Sequence, residues 1–159
     1  MKNDFNIQTD EAFMKLALAE AQKAAEVGET PIGAVVVSGG KVIAAAHNTR
    51  EHSHDITAHA ELIAVRAAAK QKGDWRLGDC TVYVTLEPCP MCAGALLASR
   101  VSRVVYGAKD PAAGAMGTVI NLPRYPLGSA PTVTAGVLEA ECRAILQEFF
   151  RSCRKKSTT

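Results

Sequence analysis

No stretch of this 159-residue chain approaches the roughly 18 apolar residues of a membrane-spanning helix, and even Ile32 to Val37 is only of strand length. A protein threaded through a bilayer by helices is therefore not expected. The first ten residues, Met1 to Asp10, mix Lys, Asn, Asp and Phe and lack the apolar core of a signal peptide, so the expected location is the cytoplasm. Internal repeats and linker-like stretches are also missing. The length suits one domain, taken as residues 1–159 with a core of about 10–152 and a basic tail at 153–159. Five cysteines, an odd number in a chain without an export signal, exclude a disulfide framework and leave free thiols or metal ligation. The net charge of +2 is too small to announce a nucleic-acid partner, so any such reading depends on where the charge lies. Arg151, Arg154, Lys155 and Lys156 gather it at the C-terminal end.

With 48% hydrophobic and 21% charged residues, the composition is that of an ordinary α/β or α+β core. Thr9 or Asp10 can cap a first helix over about 10–27, with Phe13, Leu16, Ala17, Ala21 and Ala24 at helical spacing and Gly28 ending it. Ile32 to Val37 and Val42 to Ala46 flank Ser38-Gly39-Gly40-Lys41 and read as an antiparallel hairpin. Residues 48–57 are polar and turn-like. Thr57 is placed to cap a helix over Ala58 to Gln71, which puts His59 and Glu61 in its first turn. Thr81 to Thr85 reads as a third strand, and Pro90 to Ser99 as a helix opened by Cys89 and Cys92. Arg103 to Tyr106 and Thr132 to Ala135 complete five strands, and a last helix runs from about Leu138 to Arg151. Strand and helix alternate through the middle, which implies parallel pairing with helices on both faces of one sheet.

Two strand-to-helix junctions deliver metal-ligand residue types at helix N-termini: His59 at one, Cys89 and Cys92 at the other. Cysteines three apart face the same side of a helix, so both sulfurs can reach one ion, and the positive helix ends favour their thiolates. Three protein ligands leave a tetrahedral zinc ion one position for water, the pattern of a catalytic rather than a structural site. Glu61, two residues from His59, does not share its helical face and is excluded as a fourth ligand; it is left to act as the base. Taken alone, Cys89-Pro90-Met91-Cys92 also fits a thioredoxin-like redox pair, a reading that His59-Ala60-Glu61 weighs against. A structural zinc site needs a fourth protein ligand, and Cys80, Cys142, Cys153, His47, His52 and His54 lack paired spacing. Mixed thiolate and imidazole sets also accept ions other than zinc.

His59-Ala60-Glu61 followed by Pro88-Cys89-Pro90-Met91-Cys92 resembles the signature of the zinc nucleobase deaminases. With Tyr83 to Cys89, Met91 to Ala95, Arg103 to Ala108 and Phe149-Phe150-Arg151, the resemblance extends over about residues 10–155 to bacterial tRNA-specific adenosine deaminases of the TadA type. It implies an α/β, three-layer α/β/α, cytidine-deaminase-like fold around a five-stranded mixed sheet. It further implies one Zn²⁺ per chain, a homodimer, and conversion of adenosine to inosine at the wobble position in the anticodon loop of an arginine tRNA. Water would add at C6 of adenine while Glu61 protonates N1 and then the departing amine, releasing ammonia. Asn48 matches an asparagine that contacts the target nucleotide, and Asp110 one beside the neighbouring ribose; as turn residues both also have a purely local reading. Ile56 stands where the family often has Pro, and residues 126–131 lack an Asn-His-Arg type cluster. The basic C-terminal helix resembles the family's tRNA-facing end, against a plain solvated tail.

The metal signature is shared by deaminases of free guanine, cytosine or nucleosides, which stand as the alternative. A non-catalytic zinc or RNA-binding module is the other, and an intact Glu61 speaks against it.

Overall fold

The structure, a computed structural model, describes residues 2–157, with side chains from Thr9 onward. Strands β1 (Gly33–Ser38), β2 (Lys41–His47), β3 (Cys80–Leu86), β4 (Arg103–Ala108) and β5 (Thr132–Ala135) form one sheet in the order β2-β1-β3-β4-β5. β1 is antiparallel to β2 and to β3, whereas β3 with β4 and β4 with β5 are parallel, so the sheet is mixed. The antiparallel pair follows from its turn: Gly39 and Gly40 have φ of +58° and +76°, the two positive values that a tight two-residue hairpin turn requires. The parallel pairs follow from crossover connections, which only a longer segment such as a helix can make.

Side chains alternate across the sheet. Val35, Val37, Tyr83 and Val105 pack with Met14 and Ala17 of α1 (Lys2–Glu26) and Cys142 of α5 (Glu139–Ser157). Ala34, Val36, Val82, Val84 and Val104 face the other way, against α3 (Ala60–Lys72) and α4 (Pro90–Ala98). The result is the expected three-layer α/β/α, cytidine-deaminase-like arrangement. Gly33 shows how closely the layers meet. A Cβ there would lie 2.0 Å from the Ala17 carbonyl oxygen and 2.5 Å from the Ala21 nitrogen, so any side chain would push α1 off the sheet.

Helix α1 begins at Lys2, before the cap expected at Thr9 or Asp10. Asp10 lies inside the helix and is only 5% exposed. Its carboxylate accepts hydrogen bonds from the Tyr83 hydroxyl at 2.8 Å and from both Arg103 guanidinium ends at 2.8 and 2.7 Å. An acid that suggests a cap in the sequence is in fact the anchor of α1 on β3 and β4. The turn-like stretch before α3 also contains one short helix, α2 (Arg50–Ser53). No helix among the described residues is long and apolar enough to cross a membrane.

Candidate metal centre and active site

Helix α3 starts at Ala60, and its N-cap is His59, in extended conformation at φ −82° and ψ 150°. This corrects the expectation that Thr57 caps the helix and that His59 lies in its first turn. The physical reason is local. Asp55 accepts hydrogen bonds from the Thr57 backbone N–H at 2.8 Å and the Thr57 hydroxyl at 2.7 Å, so Thr57 closes a turn instead. The cap oxygen that α3 needs comes from outside the segment: Asn48 Oδ1 accepts the Ala60 N–H at 2.8 Å. Freed from helical geometry, the His59 ring turns toward α4, where Cys89 is likewise the N-cap and Cys92 the third residue of the helix.

The ligand atoms of His59, Cys89 and Cys92 all lie within 4.8 Å of one another. His59 Nδ1 is 3.7 Å from Cys89 Sγ and 3.4 Å from Cys92 Sγ. Tetrahedral bonds of about 2.05 Å to nitrogen and 2.3 Å to sulfur put those atoms about 3.6 Å apart, so the three residues fit one small, thiophilic cation. Glu61 falls outside that set, in keeping with its exclusion as a ligand. The other candidate ligands are placed elsewhere. His47 bonds Glu20 at 3.0 Å, His52 bonds Glu29 at 2.6 Å, Cys80 and Cys142 are buried core thiols, and Cys153 is exposed on α5.

Among the protein groups by themselves, the ligands share protons unevenly. The hydrogen bond from Cys92 outweighs burial and, with His59, pulls the Cys89 thiol down to about 4. The same hydrogen bond, with burial added, pushes the Cys92 thiol up. The bond to Cys89 raises His59 against the opposing effect of burial. A second thiolate beside the first is electrostatically disfavoured until a cation sits between them. Glu61 is only 4% exposed, and burial pushes its carboxyl up, toward the range in which a carboxyl can exchange a proton near neutral pH.

These groups open onto a cavity of about 290 Å³ lined by Ile32, Asn48, Arg50, His59, Glu61, Glu87, Cys89, Asp110 and Phe150 among others. Ligand pockets run from about 300 to 1,000 Å³, so this one suits a single base rather than a stretch of RNA. A larger depression of about 690 Å³ beside Trp75 and Arg76 contains none of the metal-ligand set. Asn48 is 5% exposed, and because its Oδ1 serves Ala60, its Nδ2 is the end left for the cavity. Asp110 also lines the cavity, while its Oδ1 accepts the N–H groups of Ala112 and Ala113 at 3.0 and 3.2 Å. Phe150, 46% exposed, borders both this cavity and a neighbouring depression formed with Gln147, Arg151 and Arg154.

Sequence reasoning missed two carboxylates beside the site. Glu29, 1% exposed, accepts the backbone N–H groups of Glu51 at 3.2 Å and His52 at 2.7 Å, which fastens α2 and its Arg50. Burial pushes the Glu29 carboxyl up, but the bonds from His52 and the backbone bring it below its ordinary value. Glu87, also 1% exposed, is bonded to the loop after β4. Their partners are mostly backbone amides from distant positions, which no residue pattern reveals.

Residues 8–154 match the model of the MafB19-like deaminase family. The chain is 53% identical over 148 residues to the tRNA-specific adenosine deaminase of Bacillus subtilis, covering 92% of each. It is 46% identical to the tRNA-specific adenosine deaminase of Agrobacterium fabrum, covering 89% of this chain and 94% of that one. A solved structure from work on A-to-I editing by tRNA:A34 deaminases superposes with a TM-score of 0.83 at 45% identity, covering 85% of this chain and 99% of its own. The guanine deaminase of Nitrosomonas europaea superposes less well, at 0.75 and 28% identity, covering 87% and 83%. The chain thus belongs to the MafB19-like deaminases and, within them, to the bacterial tRNA-specific adenosine deaminases of the TadA type.

Proposed function

We propose that this chain, as one deaminase domain in the cytoplasm, converts adenosine to inosine at the wobble position of an arginine tRNA and releases ammonia. What carries this reading is the coincidence, in one base-sized cavity, of the His59, Cys89 and Cys92 ligand set, the buried Glu61, and a mouth edged by Phe150 beside Arg151 and Arg154. Zinc is the ion proposed for the ligand set. Bound there, it would lower the pKa of a water from about 15.7 toward about 7 and so supply the nucleophile.

Glu61 manages the protons. Its carboxylate takes one from the attacking water and delivers it to N1 of adenine as the water oxygen bonds to C6. It then takes the remaining proton from the new C6 hydroxyl and passes it to the amino group; the C6–N bond breaks, the oxygen becomes the C6 carbonyl of inosine, and ammonia leaves. Asn48 Nδ2, fixed as a donor by the Ala60 bond, meets an acceptor on the target nucleotide, and Asp110 stands beside the neighbouring ribose. An unpaired anticodon base reaches such a cavity without the cost of opening a duplex. The exposed Phe150 ring offers a stacking face to the next base, and the basic end of α5 offers phosphate contacts. Val119, Ile120, Tyr125 and Leu127 expose apolar surface in one short segment, which supports pairing with a second copy of the chain.

Incubation with an arginine tRNA transcript, and separately with free guanine, cytosine and nucleosides, followed by inosine and ammonia analysis, tests the substrate. The expected result is inosine in the tRNA only. Ammonia from a free base or nucleoside and none from tRNA would instead establish the alternative, a deaminase of free guanine, cytosine or a nucleoside. Glu61→Ala is expected to keep its zinc and lose turnover by about 10²- to 10⁴-fold. A variant that deaminates normally refutes the mechanism.

A further inference from the structure

Glu87 begins the turn that leads from β3 to the metal-ligand helix, two residues before Cys89, and is 1% exposed. Its own N–H donates to the Ala108 carbonyl at 2.9 Å, which fixes its backbone to the end of β4. Among the described residues, its carboxylate meets no basic side chain. It gathers donors from one loop instead: the N–H of Asp110 at 3.2 Å on Oε1, the N–H groups of Met116 and Thr118 at 3.0 and 3.1 Å on Oε2, and the Thr118 hydroxyl on Oε1. The loop closes around it. A Cβ on Gly114 would lie 2.5 Å from the Glu87 carboxylate and 2.6 Å from the Asp110 carbonyl oxygen, so only glycine passes there. The Ala115 N–H completes the contact by donating to the Pro88 carbonyl at 2.9 Å. That loop carries Asp110 and Ala113, which line the same cavity as Asn48 and Arg50.

We propose that Glu87 is a positioning residue for substrate: its carboxylate collects the amides of Asp110, Met116 and Thr118 and so sets that wall at a fixed distance from the metal-ligand turn. The proposal rests on the deaminase reading of the cavity and adds to it a residue that borders the cavity but whose carboxylate oxygens are taken up by the loop. A buried carboxylate with several donors holds a loop more tightly than neutral acceptors do, because hydrogen bonds to a charged group are roughly twice as strong.

Glu87→Gln tests this, because it turns one acceptor oxygen into an NH₂ group that faces donors. Amide hydrogen exchange at Asp110, or at Met116 and Thr118, according to which oxygen place the NH₂ takes, is expected to quicken by at least about tenfold, the loss of one hydrogen bond to a charged acceptor. KM for the tRNA is expected to rise by about the same factor, with kcat changed less than about twofold and zinc retained. Thr118→Val removes one donor, leaves the carboxylate in place and is expected to move both quantities the same way by less; it carries the test if Glu87→Gln does not fold. Wild-type exchange at those amides, an unchanged KM with only a lower Tm, or activity lost in step with zinc overturns the proposal. Should the wild-type protein act on free guanine and not on tRNA, the substrate reading fails, and the same exchange and KM measurements with guanine still decide the role of Glu87.

Discussion

Replacing Asn48 by alanine removes the oxygen that accepts the Ala60 N–H at 2.8 Å, and Ala60 is fully buried, so that donor loses its protein partner. An orphaned buried donor costs about 1–3 kcal/mol, and loss of a helix cap about 0.5–2. With about 2 kcal/mol as the working value and about 2–4 °C per kcal/mol for a chain of this size, Tm should fall by about 4–8 °C. Asn48→Asp keeps an acceptor oxygen at the same place but lacks the Nδ2 donor. It should recover most of the stability, aided by a negative charge at the N-terminus of α3, without recovering RNA deamination. The two roles of one amide are thereby separated by thermal unfolding in one experiment and inosine formation in another. An Asp variant as unstable as the Ala variant would refute the capping role, and one with wild-type turnover would refute the donor role.

Other outcomes follow from the same physical reasoning. Burial pushes the Asp10 carboxyl up, but hydrogen bonds from Arg103 and Tyr83 outweigh it and hold it below the ordinary value. The stability it lends is therefore complete above the unfolded value of about 3.9 and is lost as pH falls through the lower folded value. Chemical denaturation of wild type and Asp10→Asn across pH 2–6 should show two curves that converge at the acid end, and parallel curves would contradict this. Arg103→Ala leaves the Asp10 charge with one partner fewer; because Arg103 is 29% exposed, about 2 kcal/mol is expected rather than the 3–5 of a fully buried pair, read from the shift of the urea midpoint. Gly33→Ala should prevent native folding or lower Tm by more than 10 °C, since its Cβ would stand 2.0 Å from a backbone oxygen; a normal melt would show that α1 can move away. Replacing Arg151, Arg154, Lys155 and Lys156 by Ala should weaken tRNA binding and flatten its dependence on log salt by about 2–3 units. Binding that stays the same would leave the end of α5 without a role in RNA recognition.

That His59, Cys89 and Cys92 come together could be read from the sequence because their spacing is itself the signal: two cysteines three apart at a helix start, and a histidine at another. The hairpin was legible at Gly39-Gly40 for the same reason, since the turn dictates its residue types. What escaped was whatever depends on a partner far along the chain. Thr57 has the composition of a cap, but Asp55 claims its hydroxyl, and the oxygen that serves α3 comes from Asn48, twelve positions before Ala60. Asp10 likewise has the look of a helix start and proves to be an anchor to Arg103, 93 residues away. Glu29 and Glu87 could not be singled out at all, because a carboxylate that binds backbone amides leaves no complementary residue to notice.

The ligand set bears on folding as well as on chemistry. His59 begins one helix and Cys89 begins another, and about 30 residues of chain, including α3 and β3, lie between them. A cation gripped by both ends would therefore behave like a covalent cross-link that closes a loop of that length, which in the chain-entropy view restricts the unfolded state by about 3–4 kcal/mol. Chelation should then do more than stop turnover. It should loosen α3 from α4, and the melting temperature of the stripped protein should rise with added metal.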